Sequence, residues 1–216
     1  MAVIHHTTMQ PTKLELLASW LPTRAWYAGG AEEPRPAKTG GFRLDDPAGE
    51  VGIEFMAVTD GVGPDAVTYL IPMTYRGEPL EGAGHALIGT SEHGVLGTRW
   101  IYDGVHDPVL VAELYALLAG RAEAQAQSVD STPDPTVAAS LAPAGTGAEL
   151  VGATDGPDHT DVVVRESGAA APLTLRVRRV LRPGEDGGPG RGRVTAEWRL
   201  ADGTTARGAY AVALAE

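Results

Sequence analysis

The stretch VGIEFMAVTDGVGPDAVTYLIPMTY, residues 51–75, decides the fold of this chain. Apolar residues stand at every second position from Val51 to Ala57 and again from Val67 to Tyr75, and Glu54 lies on the opposite face of the first run. A period of two is that of a β-strand. Because a short loop with two glycines, Asp60–Asp65, separates the runs, they predict an antiparallel hairpin.

Two helices are predicted on either side of this hairpin. Thr12 and Glu15 have capping-box spacing, in which a hydroxyl and a carboxylate each satisfy a free backbone N–H, and Pro22 ends that helix. Asp107 followed by Pro108 predicts the start of the second helix, since an acidic N-cap and Pro at the first position both favour helix initiation. Each helix has one apolar face, so we expect both to pack on the sheet.

The remaining pattern predicts an α+β fold with antiparallel sheet. Residues 127–147 are rich in Pro, Ser, Thr and Ala, which is typical of a linker or long loop. We therefore predict a domain at 1–126, a linker or long loop at 127–147 and a second antiparallel β-rich region at 148–216. Further strands are predicted at 41–44, 86–88, 95–102, 161–165, 173–181, 194–200 and 207–214.

Composition excludes several classes of protein. The chain has 216 residues, a net charge of −11 and no Cys. The acidic balance argues against a nucleic-acid partner, because phosphate binding needs a basic face. No apolar run approaches the roughly 18 residues of a membrane span, and the N-terminus lacks the basic start of a signal peptide. Since the absence of Cys excludes disulfides and thiolate chemistry, we expect a soluble, cytoplasmic protein.

Two groups of large side chains are given structural interpretations. Arg176, Arg178, Arg179 and Arg182 form a short basic run, which we expect to be a surface ladder on one strand edge. Trp20 and Trp26 flank a Pro turn, where aromatic residues most often anchor a core.

The catalytic templates fail on spacing. Lys38 and Thr39 lack the glycines of a phosphate-binding P-loop. Ser91 is followed two positions later by His93, where a nucleophile elbow requires Gly. No catalytic residue is predicted.

Metal ligands are sparse as well. Asp103, His106 and Asp107 form the tightest candidate cluster, but a turn explains the first carboxylate and the helix cap explains the second. The isolated histidines have no carboxylate or His at helical or strand spacing; they are His85, His93 and His159. No metal site is predicted.

The order of the motifs resembles the N-terminal cap of bacterial maltokinases and related sugar kinases. In that family an Arg-Trp-Tyr/Phe-Ala-Gly-Lys element follows the first helix, and a Tyr-Asp-x-x-x-Asp-Pro element opens a later one. Ala25 stands where the family has Arg, and Gly30 replaces the Lys. The resemblance covers about residues 12–120 and implies a cystatin-like arrangement, a curved antiparallel sheet packed with helices. The matching positions, which follow Trp20, are Trp26, Tyr27, Ala28, Gly29, Tyr102, Asp103, Asp107 and Pro108.

The C-terminal region resembles, more weakly, the kinase N-lobe that begins the nucleotide site. Arg176 occupies the position of the family's phosphate-contacting Lys, and the frame continues through Arg179 to Pro183 and Gly184. Arg for Lys replaces a compact charge with a planar fork. The Gly-rich residues 185–190 cannot supply the helix that follows in the family.

The resemblance implies a cap with a degenerate N-lobe remnant, without phosphoryl transfer on its own. A kinase-type enzyme needs a C-lobe with a catalytic Asp and a second metal ligand, typically Asn. We expect no room for that lobe before Glu216, and the chain contains no Asn. The implied function is a non-catalytic accessory or regulatory protein of maltose, trehalose or α-glucan metabolism. It would have no cofactor, and its partner would be a sugar kinase or α-glucan enzyme.

Two alternatives stay open. One is a component of an ATP- and Mg-dependent sugar phosphotransferase that another chain completes. The other is an α-glucan-active or sugar-binding protein in which Trp20, Trp26 and Trp100 line a sugar site. The sequence does not predict the oligomeric state.

Overall fold

The computed structural model describes residues 9–30, 33–127, 132–142 and 144–215. These residues form one open antiparallel sheet with two α-helices. The predicted antiparallel α+β fold is confirmed in this respect, while the cystatin-like arrangement stays a prediction. No helix among the described residues is long and apolar enough to cross a membrane.

The sheet is built from thirteen described strands. Across the sheet their order is β1-β5-β6-β4-β3-β2-β12-β13-β11-β10-β9, with β7 paired to β2 and β8 paired to β12. The helices are α1, Lys13–Trp20, and α2, Pro108–Leu118. The strands are β1 Met9–Gln10, β2 Ala37–Leu44, β3 Gly52–Asp60, β4 Val67–Arg76, β5 Leu87–His93, β6 Gly97–Asp103, β7 Gln125–Ala126, β8 Ala138–Leu141, β9 Ala148–Asp155, β10 His159–Glu166, β11 Leu173–Arg178, β12 Gly192–Arg199 and β13 Thr205–Ala213.

The hairpin and both helix starts are confirmed. Strands β3 and β4 pair in an unbroken register from Gly52 opposite Tyr75 to Asp60 opposite Val67. The Thr12 hydroxyl accepts from the backbone N–H of Glu15, whose carboxylate accepts from the backbone N–H of Thr12, which completes the capping box. Helix α2 starts at Pro108 behind its N-cap acid.

The two helices pack on the sheet in different core clusters. On the α1 side, Leu17, Trp20 and Leu21 pack against Met56 and Tyr69 of the hairpin. The other core gathers α2, the other side chains of the hairpin and the C-terminal strands: Phe55, Leu70, Leu114, Val162, Leu175, Val194 and Trp198. Since residues before 126 and after 148 share this core, the two parts of the chain fold against each other.

The segment 127–147, predicted as a linker or long loop, contains a strand in its described residues. Strand β8 pairs with β12 from Ala138 opposite Thr195 to Leu141 opposite Gly192. Beside it, β2 meets β12 only at Gly40 opposite Trp198. A side chain at Gly40 would lie 2.9 Å from the Trp198 backbone, so glycine permits this contact. The division into 1–126 and 148–216 stays a prediction.

Candidate functional site

Arg179 is the centre of the candidate site, and its side chain has no solvent exposure. Its Nη2 donates to Asp103 Oδ2 at 2.6 Å, and its Nε donates to Thr160 Oγ1 at 2.7 Å. The guanidinium carbon lies 5.0 Å from the centroid of the Trp26 ring, within the range of a cation–π contact. We call Trp26, Asp103, Thr160 and Arg179 the junction site, because it joins the first part of the chain to the β-rich region.

The backbone around Arg179 fixes this position. The Arg179 carbonyl accepts from the backbone N–H of Leu70 at 2.9 Å, and the N–H of Leu181 donates to the Thr68 carbonyl at 2.8 Å. Residues 179–181 therefore run along β4 after β11 has ended at Arg178. This main-chain pairing holds the guanidinium in the core.

The prediction of a surface ladder is wrong for Arg179. The burial of alternate positions continues past the end of β11, from Val177 to Arg179 and Leu181, so the Arg179 side chain lies on the inward side of the chain as it runs onto β4. Arg182 is exposed and forms an ion pair with Asp158 at 2.6 Å. One basic run therefore contains both a buried arginine, Arg179, and an exposed one, Arg182.

Arg176, the position of the family's phosphate-contacting Lys, is already paired. Its Nε and Nη2 donate to the two carboxylate oxygens of Asp161 on β10, each at 2.7 Å. This hydrogen bonding lowers the pKa of Asp161 and raises that of Arg176. A phosphate contact by Arg176 stays a prediction, and it would require the side chain to leave Asp161.

Both Trp residues of the first motif are core anchors, as predicted. Trp20 is 6% exposed and Trp26 is 1% exposed. Their ring centroids lie 5.7 Å apart in an edge-to-face arrangement, and Tyr69 lies 6.0 Å from Trp26. Neither ring offers an open face on which a sugar could stack.

The Tyr-Ala-Gly part of the motif forms hydrogen bonds to residues of the β3–β4 hairpin. Tyr27 Oη donates to Asp60 Oδ2 at 2.7 Å, and the N–H of Ala28 donates to Tyr69 Oη at 3.0 Å. Burial, followed by the hydrogen bond to Asp60, raises the pKa of Tyr27 well above its ordinary value. A side chain at Gly29 would lie 1.9 Å from Tyr27 Oη, so only glycine leaves room for this ring.

Replacement of Gly29 by Ala should therefore destabilise the chain by about 1–3 kcal/mol, the usual cost of overpacking. The new methyl group would displace Tyr27 from Asp60. The measurement is the urea unfolding midpoint, with Gly30→Ala as a matched control because its position has open space. Equal midpoints for the two variants would show that Gly29 has no steric role.

The second motif has structural partners at each of its polar positions. Tyr102 Oη accepts from the backbone N–H of Leu80 at 3.0 Å, and Asp103 holds Arg179. Asp107 accepts from the N–H of Val109 at 2.9 Å, which confirms the predicted helix cap. Its two carboxylate oxygens also accept from Arg76 Nε and Nη2, each at 2.7 Å. Pro108 occupies the first turn of α2.

A second buried carboxylate, Glu54, lies on the α1 side of the sheet. Lys13 Nζ and Tyr75 Oη each donate to Glu54 Oε2 at 2.6 Å, and Gln127 Nε2 donates to Oε1 at 3.1 Å. Burial alone would raise the pKa of Glu54, but the Lys13 ammonium and these hydrogen bonds bring it below its ordinary value. Glu54 is therefore an ionised and satisfied group.

Sequence reasoning did not find the partner of Asp103. Arg179 is 76 residues away, and the predicted surface ladder pointed away from such a contact. An indication was available: Asp and Arg are almost never fully buried unless paired. The alternation of the run is a second indication, because Arg179 stands two positions after Val177 and two before Leu181, on the apolar side.

The fold and the junction site define a class of protein. It is a β-rich scaffold whose motif side chains hold two parts of one chain together.

The family of the maltokinase N-terminal cap domain matches residues 20–107. This match confirms the predicted resemblance for the first part of the chain and suggests a relation to maltose or trehalose metabolism. Within the matched range lie the motif positions from Trp20 to Asp107. Arg179 and Thr160 lie outside the matched range, so the junction site connects that range to a part of the chain beyond it. No curated protein matches the chain.

Proposed function

We propose that the chain is a non-catalytic accessory or regulatory protein that works in the cytoplasm with a sugar kinase or another enzyme of maltose, trehalose or α-glucan metabolism. One observation carries the proposal. The cap motifs direct Trp26 and Asp103 to Arg179, so these side chains hold the scaffold together rather than lining an open cleft. The family match supplies the metabolic context.

The state of Arg176 supports a non-catalytic role. A phosphate-contacting side chain must be able to reach its ligand. In this structure, Arg176 Nε and Nη2 both donate to the carboxylate of Asp161. A bidentate pair of this kind is among the stronger hydrogen-bonding arrangements in proteins. Bound nucleotide would have to compete with that carboxylate.

The shared core supports a role in which the whole chain binds a partner as one rigid unit. Because the junction site and the α2-side core both join the cap to the β-rich region, a partner would meet surfaces of both parts in a fixed arrangement. Accessory proteins benefit from this, since a preorganised surface lowers the entropic cost of binding.

The proposal is tested by affinity capture from an extract of the source organism, with the full chain as bait. We expect mass spectrometry to identify a sugar kinase or an α-glucan enzyme, and the purified enzyme to change its rate when the chain is added. An unfolded preparation of the same chain is the control. Recovery of no carbohydrate enzyme, or a captured enzyme whose rate is unchanged by the chain, would contradict the proposal.

Titration with Mg-ATP separates the proposal from the phosphotransferase alternative. A ligand at 100 times its dissociation constant stabilises a protein by about 2.7 kcal/mol. We expect no such stabilisation, and no change of Trp fluorescence with malto-oligosaccharides. A thermal shift with Mg-ATP that Arg176→Ala removes would instead favour a nucleotide site.

A further inference from the structure

The lysines of this chain meet at one carboxylate. Lys13 and Lys38 are its two lysines, against fifteen arginines, so a chain that otherwise uses Arg for positive charge places both ammonium groups at one site. Lys13 Nζ lies 2.6 Å from Glu54 Oε2, and Lys38 Nζ lies 3.8 Å from Glu54 Oε1. Only the first contact is a hydrogen bond, since N–H···O bonds typically end at about 3.2 Å. Lys38 therefore keeps donors that Glu54 does not take.

A register shift in β2, just after Lys38, brings a third cation to the same face of the sheet. Lys38 pairs with Val58 of β3, and Arg43 pairs with Glu54. Val58 and Glu54 are four positions apart, so their side chains lie on one face of β3. Directly opposite residues of an antiparallel pair share a face as well. Lys38 and Arg43 are therefore on the face of the sheet where Lys13 meets Glu54, and we call these three cations the cation cluster.

Arg43 has two donors that the described residues do not use. Its Nε and Nη2 are buried and find no hydrogen-bond partner there. In Arg76 and Arg176 the same two atoms bind both oxygens of a carboxylate, each at 2.7 Å. This edge of a guanidinium matches two oxygens of a carboxylate or a phosphate. Because a buried donor without an acceptor is costly, an oxyanion at Arg43 would satisfy a group that the described part of the chain leaves unpaired.

The cation cluster carries more positive charge than its carboxylate neutralises. Lys13 and Lys38 share Glu54, and Arg43 forms no ion pair with the residues that the structure describes. Burial lowers the pKa of Lys38, Glu54 opposes this shift, and Lys13 and Arg43 lower the pKa further. The cations thus repel one another, and an added anion would relieve that repulsion.

The cation cluster is also within reach of a ligand. The side chains of Lys13 and Lys38 are 32% and 37% exposed. Arg43 is only partly buried, so its guanidinium can turn toward the surface. An ion from solvent can therefore reach the ammonium groups while the sheet stays intact.

We propose that Lys38 and Arg43, with Lys13 beside them, bind the phosphate group of a small phosphorylated molecule. Arg43 turns outward and donates from Nε and Nη2 to two phosphate oxygens, while Lys38 supplies a compact charge to a third. Three cations and one carboxylate leave an excess of two positive charges. A phosphate monoester carries about 1.5–2 negative charges at neutral pH, which matches this excess. Mg-ATP is a poorer ligand, because Mg²⁺ bridges its phosphate oxygens and neutralises part of their charge.

Thermal unfolding of the full chain in inorganic phosphate, at about pH 7.5 and with NaCl holding the ionic strength constant, tests this site. We expect a saturable rise of the unfolding midpoint. Lys38→Met and Arg43→Met should each weaken the apparent affinity about tenfold or more, because each removes a charge-assisted hydrogen-bond donor. Arg165→Met is the matched control: it removes the same charge from an exposed position on β10 and should leave the affinity unchanged.

Two further measurements separate binding from folding. Arg43→Met should keep the parent's midpoint without phosphate, because its Nε and Nη2 have no hydrogen-bond partner to lose. Phosphate should slow the acetylation of Lys38 by an amine-directed reagent, followed by mass spectrometry, and leave that of the N-terminal amine unchanged. No saturable shift in the parent, an equal shift with acetate in place of phosphate, or unchanged affinity in Lys38→Met would overturn the proposal.

Discussion

Replacement of Arg179 by Met should destabilise the chain by about 3–5 kcal/mol, the usual cost of removing one partner from a buried ion pair. Asp103 is 2% exposed and would lose the guanidinium that donates to its carboxylate at 2.6 Å. Thr160 would lose its donor as well. We expect this variant to have one of the two largest effects in the chain, because it acts on both parts at once.

The measurement is urea unfolding followed by Trp fluorescence. Arg182→Met is the control: its side chain is 47% exposed, and surface ion pairs contribute about 0–1 kcal/mol. The double variant Arg179→Met, Asp103→Leu should recover most of the lost stability, since an apolar replacement of both partners is often neutral. A loss below about 1 kcal/mol for Arg179→Met alone would contradict a central role for the junction site.

The hairpin and helix starts were predictable because their determinants are local. Alternation over residues 51–57 and 67–75 fixes which side chains face each core, and the loop between them is too short for any other connection. Thr12 and Asp107 likewise satisfy backbone groups within a few residues of themselves. Such contacts are encoded within a short window of sequence.

Other features depend on contacts between distant residues. Strand β9 alternates only weakly and carries two small residues, Gly152 and Ala153, and it is specified by its pairing with β10. Similarly, Lys13 and Lys38 have no sequence spacing that relates them, because packing brings both to Glu54. The partner of Asp103 was hidden for the same reason. Sequence patterns identify strands and helix caps, but they do not show which buried charged side chains pair with each other.

The second large effect is expected for Asp107→Ala, at about 3–5 kcal/mol. Asp107 is fully buried and has two roles: it caps α2 through Val109, and it binds both donors of Arg76 at 2.7 Å. Loss of a cap typically costs about 1 kcal/mol. The larger part should come from Arg76, whose side chain is only 20% exposed and would be left without its carboxylate.

Two variants separate these roles in the same urea unfolding experiment. Asn is as good an N-cap as Asp, so Asp107→Asn should keep the cap, lose the ion pair and be about 1 kcal/mol more stable than Asp107→Ala. Thr12→Ala, at the exposed cap of α1, gives the cost of a cap alone. If Asp107→Ala costs no more than Thr12→Ala, the contact with Arg76 adds nothing, and the second acid of the motif is only a helix cap. A loss several times larger would show that this acid also anchors β4 to α2 through Arg76, which is the behaviour expected of a scaffold residue.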